Sequence, residues 1–304
     1  MIPFPNIDPV AISLGPVKVH WYGIMYLLAF WCEYLILKAS TGWRGLVLDA
    51  EEIGDFLGYA ILGVVLGGRL GYILFYNPAQ YLSNPLEILA VWHGGMAFHG
   101  GLVGTFVAGW LWCRRKGVGY VQMCDAVVVG VPAGLGLGRL GNFINGELWG
   151  KPSDLPWAVV FPTGGPLPRH PSQLYELLLE GVLLLGVMLL LGRRRLPHGA
   201  LIGIFLMGYG SIRMTIELFR NPDPQFITAT NPAGHVLGPF SMGQLLSLPM
   251  VLGGAALLAW AFRRGERPPV RFAPAAAVQT PPPSGEPVAQ ADPVADVPAP
   301  DSQT

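Results

Sequence analysis

Between Gly138 and Gly150 the chain reads Gly-Arg-Leu-Gly-Asn-Phe-Ile-Asn-Gly-Glu-Leu-Trp-Gly, an arginine, two asparagines and a glutamate closing the apolar run Val121 to Leu140. Arginine is permanently charged and meets a phosphate with two parallel hydrogen bonds, so the chemistry to expect of Arg139 and Asn142 is anion binding. A cation beside hydrocarbon is costly, ~2.5–3.5 kcal/mol for a central Arg on insertion scales, and an intramembrane Arg ordinarily has a functional partner. The four glycines let the backbone turn tightly and approach whatever the polar groups hold.

Further polar residues interrupt other apolar runs. Tyr209, Arg213 and Glu217 recur at i, i+4 and i+8, which places all three on one helix face. Arg69 follows Gly67-Gly68, His99 precedes Gly100-Gly101, and Tyr22 stands in His20-Trp21-Tyr22-Gly23. The elements that carry them are set by composition. Of 304 residues 52% are hydrophobic and 12% charged, about half the charged share of soluble domains. With a mean hydropathy of +0.45, the chain reads as an all-α polytopic membrane protein. A net charge of zero removes the basic field that nucleic acid would need. Cys32, Cys113 and Cys124 show neither CxxC spacing nor paired histidines, which argues against zinc and disulfides and for buried filler. Met1 to Val19 lacks a basic segment followed by an apolar core, so no cleavable signal is expected.

A membrane span needs about 20 mostly apolar residues. Seven segments qualify: 20–37, 54–75, 96–113, 121–140, 174–192, 199–219 and 241–262. Alternate connections differ in charge. Twelve Lys and Arg follow spans one, three, five and seven, against four (Lys18, Lys151, Arg169, Arg220) on the other side. The positive-inside rule then predicts the N-terminus outside and the C-terminus inside. Residues 1–264 form the membrane domain, with a Gly- and Pro-rich outer connection at 142–173 forming a small external subdomain. The Pro/Ala-rich stretch 265–304 reads as a disordered cytoplasmic tail.

Orientation gives each polar residue a depth. Arg69, Arg139 and Arg213 all fall in the final thirds of spans that run outward, with Arg213 roughly 9 Å below the outer end of its helix at 1.5 Å per residue. Tyr22 and His99 reach the same level from spans one and three, so five helices bring polar groups to the outer leaflet. Each residue alone has a structural reading. Arg213 and Glu217 can be a packing pair, Arg69 can snorkel, His99 can be a satisfied interfacial histidine, and Tyr22 can belong to an aromatic belt. Convergence favours function, because three arginines at one depth repel unless an anion sits among them. The abundant anion there is a lipid phosphate.

The motifs together resemble the bacterial prolipoprotein diacylglyceryl transferases over about residues 8–262. They are His20-Trp21-Tyr22-Gly23, Gly67-Gly68-Arg69, His99-Gly100-Gly101, Gly138 to Gly150, Arg169-His170-Pro171-Ser172-Gln173, and Arg213 with Glu217, in that order. The resemblance implies transfer of the sn-1,2-diacylglyceryl group from phosphatidylglycerol to the lipobox cysteine of a prolipoprotein signal peptide, with release of glycerol 1-phosphate. It implies a multi-pass bacterial inner-membrane enzyme, acting as a monomer, with its site toward the outer leaflet and no cofactor or metal. Tyr22, His99, Arg139, Asn142, Gly150, Tyr209, Arg213 and Glu217 carry over as the family's essential residues. Arg139 and Arg213 would stabilise the leaving phosphate, with Asn142 an added donor, and Arg69, Glu147, Gly150 and Tyr209 would complete the phosphatidylglycerol site. His99 is the suggested base for the thiol, and Glu217 would orient Arg213.

Other classes fit less well. A transporter would line a path across the membrane and show broken-helix repeats, whereas these polar residues cluster at one leaflet. Neither the Asp-rich metal motif of a headgroup-exchanging synthase nor the paired Asp or Ser–His of an intramembrane protease is present. A non-catalytic lipid-binding scaffold remains the alternative, and labelled phosphatidylglycerol with a lipobox peptide separates it from an enzyme.

Overall fold

The long apolar runs become helices whose ends are set by local chemistry. In the computed structural model, which describes residues 2–5, 7–76, 78–88, 90, 94–222, 224–228 and 230–268, α1 spans Trp21–Trp43 and α2 spans Ala50–Phe75. Asp49 and Glu52 close a reciprocal capping box at the start of α2, satisfying two N–H groups that a helix start otherwise leaves open. α3 (Pro78–Ser83) and a 3₁₀ turn (Pro85–Ile88) lead to α4 (Phe98–Lys116). α4 ends at Gly117, held at φ +69°, a conformation that favours glycine.

α5 (Tyr120–Val127) and α6 (Val131–Ile144) replace the single span expected at 121–140, with a bend of 43° between them. Pro132 in the first turn of α6 lacks an N–H and starts a helix without penalty. After the connection that follows α6, α7 (Ser172–Glu176) passes into a π-helical stretch (Leu177–Leu183) and then α8 (Leu184–Gly192). α9 (Ala200–Ile216) and α10 (Met242–Arg264) follow, and Ser241 with Gln244 forms a second capping box at α10.

Among the described residues, four helical segments are long and apolar enough to cross a membrane: α1, α2, the continuous helix 172–192 and α10. The bent α5–α6 pair makes a fifth. α9, at 17 residues, is apolar but short. α4 carries four glycines and ends in Arg114-Arg115-Lys116, which lowers its apolar weight. The chain is thus a mostly helical polytopic membrane protein.

Among the described residues, four short strands correct the all-α expectation of this mostly helical chain. β2 (Val10–Leu14) and β3 (Val17–His20) form an antiparallel hairpin. Gly15 opens its two-residue loop at φ +60°, and a glycine in the first loop position matches the twist of the paired strands. β1 (Ile2–Pro3) pairs in parallel with β4 (Val159–Val160), so the N-terminus is built into the 142–173 connection. Phe4 packs between Phe143 and Phe161, 5.5 Å from each ring. The pattern of 2–20 is too brief to announce strands, because pairing across the sequence decides them.

α2 and α4 pack backbone to backbone. A Cβ at Gly67 would lie 2.4 Å from the carbonyl oxygen of Gly100, and one at Gly104 would lie 2.1 Å from that of Gly63. Small residues permit this approach between membrane helices.

Candidate active site

α6 delivers Arg139 and Asn142 near its C-terminal end, and the helix 172–192 approaches it glycine to glycine. The Cβ absent at Gly181 would fall 2.7 Å from the Cα of Gly136. That contact lies one turn before Arg139 on α6 and one residue after Glu180. Glu176 and Glu180, both fully buried, consequently face Arg139, whose Nε lies 3.1 Å from Glu176 Oε2 and 3.6 Å from Glu180 Oε2. Glu180 falls inside the π-helical stretch, a distortion that recurs at functional sites because it re-aims side chains.

α9 adds its own face. Arg213 Nη1 lies 2.8 Å from Glu217 Oε2, one turn on, and 3.6 Å from Glu176 Oε1. Arg220 joins the same carboxylates, with Nη1 at 3.4 Å from Glu176 Oε1 and Nε at 4.0 Å from Glu217 Oε2. Three arginines and three glutamates thus form one network. Glu217 in turn packs on the N-terminal turn of α10, where a Cβ on Gly243 would stand 2.6 Å from its Cδ. A carboxylate at a helix N-terminus is favourably placed. Tyr22 and Tyr209 lie within electrostatic range of Arg139. Tyr22 packs directly on Gly141, whose Cβ would sit 2.7 Å from the ring.

The loop after α6 forms a second, adjoining knot. Glu147 Oε1 accepts from Asn142 Nδ2 at 2.8 Å and from Asn145 Nδ2 at 3.2 Å. Gln173, fully buried, donates to the Glu147 carbonyl at 2.6 Å, and Ser172 Oγ donates to the Leu148 carbonyl at 3.0 Å. Leu148 is held at φ +59° and Gly146 at φ +65°. The first is costly for a branched side chain and persists because both flanking carbonyls are held. Gly150 donates its N–H to the His170 carbonyl at 2.9 Å and bridges to Arg220. Arg169 lies over the Trp149 ring at 4.1 Å. Burial and then the nearby Lys151 charge hold the His170 pKa below its ordinary 6.5.

Of the expected site residues, the structure joins Tyr22, Arg139, Tyr209, Arg213 and Glu217 in the charged network, with Asn142, Glu147 and Gly150 in the loop that adjoins it. His99 and Arg69 stand elsewhere. His99 is the second residue of α4 and lines an apolar groove of ≈ 1120 Å³ between α2 and α4. Among the described residues no contact joins His99 to Arg139 or Arg213. Arg69, 3% exposed, donates to the carbonyls of Ile88, Gly94, Gly95, Glu87 and Ala90 and lies over the Tyr81 ring.

Glu176, Glu180 and Arg220 are members of the network that the sequence reading passed over. The signal was present for two of them, since carboxylates four apart inside an apolar run carry the same desolvation cost that singled out Arg139. Arg139 and Arg213 are thus neutralised in part by the protein's own carboxylates.

Each carboxylate approaches Arg139 at Nε, and the arginine side chain keeps 18% exposure, so a planar guanidinium suited to phosphate is braced by buried carboxylates.

Comparison with known proteins agrees with this chemistry. A family model described as "Prolipoprotein diacylglyceryl transferase" matches residues 9–260. A phosphatidylglycerol–prolipoprotein diacylglyceryl transferase of Bordetella avium is 52% identical over 274 residues, 88% of this chain and 100% of the relative. Those of Vibrio vulnificus and Geobacter sulfurreducens are 50% and 49% identical, over 87% and 86% of this chain and 95% and 98% of their own lengths.

Proposed function

The chain belongs to the prolipoprotein diacylglyceryl transferase family, and we propose that it carries out the family's reaction at the Arg139–Arg213 network. Its donor is phosphatidylglycerol and its acceptor the lipobox cysteine of a prolipoprotein signal peptide. The cysteine sulfur attacks the glyceryl carbon that bears the phosphate. A carbon–sulfur bond forms as the carbon–oxygen bond breaks, and the electron pair leaves with the phosphate as glycerol 1-phosphate. This is the first step of lipoprotein maturation.

The Arg139 guanidinium, braced by the buried carboxylates of Glu176 and Glu180 and still partly exposed, is the observation that carries this reading. Fixed cations aimed at developing phosphate charge lower the barrier without reorganising. Arg213, oriented by Glu217, supplies the second cation, and Asn142, Tyr22 and Tyr209 complete the headgroup contacts. Glu147 and Gly150 shape the loop that holds Asn142. The thiol proton goes to His99, brought to the reacting cysteine by the bound peptide or by movement of α4.

In this reading seven segments cross the bacterial inner membrane: the five long candidates together with α4 and α9. The N-terminus and the 142–173 connection lie outside, and the site opens toward the outer leaflet. The pairing of β1 with β4 supports placing the first two on one side. Residues 1–264 are the catalytic domain of a monomer, since one chain supplies every group named. The tail 265–304, whose residues from 269 lie outside the described ones, has no catalytic part.

The test is direct. Purified protein in phosphatidylglycerol vesicles should transfer labelled diacylglyceryl to a lipobox peptide and release glycerol 1-phosphate. Lipid binding without transfer would leave a scaffold instead of an enzyme.

A further inference from the structure

The five N–H groups of the Arg69 guanidinium meet five backbone carbonyls. Nε donates to Ile88 at 3.1 Å; Nη1 donates to Gly94 and, at 3.3 Å, to Gly95; Nη2 donates to Glu87 and, at 3.1 Å, to Ala90. Arginine has five such donors in a fixed planar fork and no others, so no donor remains for a phosphate.

The carbonyls come from the two ends of one connection, the turn before residue 90 and the stretch just before α4. Gly94 and Gly95 stand at φ +83° and +78°, which turns their carbonyls inward and favours glycine at both. At Gly95 a Cβ would meet Tyr72 Cε1 at 2.7 Å and Arg69 Nη1 at 3.0 Å. Two residues on, the Ala97 N–H donates to the Gly68 carbonyl at 2.9 Å. His99 follows within the first turn of α4, and Gly100 beside it packs on Gly67 and Gly71. Arg69, its neighbour Gly68 and the α2 glycines therefore fix the entry of α4 from three directions.

From this we infer that Arg69 is a positioning residue for His99: it clasps the connection into α4 and sets where the imidazole stands, with no direct contact to lipid. The catalytic consequence rests on the reading of His99 given above; the clasp itself does not. Lysine cannot replace the clasp, because three donors on a point charge do not reach two carbonyl groups on either side of a plane.

The experiment pairs Arg69→Lys with Gly95→Ala in the full-length protein in phosphatidylglycerol vesicles. Gly95→Ala changes no charge and no lipid-binding group. Both variants should lower kcat by about 10²-fold, the scale of a 1 Å misplacement. Both should leave KM and equilibrium binding for phosphatidylglycerol unchanged. Both should also speed proteolytic cleavage between residues 84 and 97, and their double variant should lose less than the product of the single losses. Weaker phosphatidylglycerol binding in Arg69→Lys, with cleavage at the wild-type rate, would overturn the clasp and return Arg69 to the headgroup. If His99→Gln keeps full turnover while both variants still loosen the connection, the role given to His99 fails and the clasp stands.

Discussion

Glu176 Oε2 lies 3.1 Å from Arg139 Nε, and the Glu176 side chain is fully buried while Arg139 is 18% exposed. The carboxylate therefore braces from the protein interior a guanidinium that keeps some exposure. Its other oxygen serves Arg213 and Arg220, so one buried residue sets three cations. Removing one partner of a buried pair typically costs about 3–5 kcal/mol, because it leaves charge uncompensated. Glu176→Ala should destabilise the detergent-solubilised protein on that scale and abolish transfer. Glu176→Gln should recover much of the stability and little of the rate. Unchanged unfolding midpoints in both would show that the network does not hold the site together.

Arg139 and Arg213 should each contribute to stabilising the leaving phosphate. Loss of one preorganised donor costs about 2.7–4 kcal/mol, or 10²–10³ in rate. Arg139→Ala and Arg213→Ala should fall in that range, and the Lys variants should recover little, since lysine keeps the charge without the fork. Near-full turnover by both Lys variants in the vesicle assay would rule out the clamp.

Gly150 should matter for the space it leaves beside its backbone hydrogen bond to His170. A Cβ there would lie 2.5 Å from the Phe219 carbonyl oxygen and 2.9 Å from that of His170. Backbone cannot yield cheaply, so Gly150→Ala should open the bridge to Arg220 and shift that arginine off Glu176. Activity should be lost, and thermal stability should drop with it. Gly186→Ala makes the control, since nothing lies within 4 Å of its Cβ position. In a helix interior that change is favourable by about 0.8–1 kcal/mol. Similar behaviour of the two variants would remove packing as the reason for Gly150.

Most of the helices and much of the charged network were legible in the sequence, and particular residues show why the rest was not. Arg139, Arg213 and Glu217 announce themselves because charge inside an apolar run has few bland explanations. Glu176 and Glu180 obey the same rule inside the run 174–192, but only the fold shows that they face Arg139. Arg220 looked like a loop charge because its partner lies 44 residues away and only the fold unites them. Arg69 shows a related difficulty: a cation in a span invites an anion, yet the structure gives its guanidinium backbone carbonyls, those of Gly94 and Gly95 among them. The break at 128–130 has no proline at its centre. Glu33 of α1 packs against it, with Oε2 2.2 Å from the position a Gly130 Cβ would take, a contact no periodicity reveals.

Orientation rests on the twelve-to-four distribution of Lys and Arg. Single cysteines at Ser83 and Glu266, in a protein lacking Cys32, Cys113 and Cys124, should label from opposite faces of sealed vesicles, Ser83 from outside. Labelling from one face would overturn the seven-span topology and the outer-leaflet placement together.

His99 carries the last test, because the structure sets it in the α2–α4 groove and not in the arginine network. A free thiol has a pKa of about 8.5, so only a few per cent is thiolate at neutral pH without help. If His99 takes the thiol proton, His99→Gln should lower the rate strongly near neutral pH. Raising the pH toward the thiol's own pKa should then restore much of the loss, since solvent base makes the thiolate instead. Wild type should gain far less over the same range. If His99 instead contacts lipid or locks α4 against α2, the defect should be constant at every pH at which the protein stays folded. The measurement is a pH–rate profile of His99→Gln with phosphatidylglycerol binding followed in parallel. A pH-independent loss accompanied by weak lipid binding would take the base role from His99 and leave the cationic field of Arg139 and Arg213 to generate the thiolate.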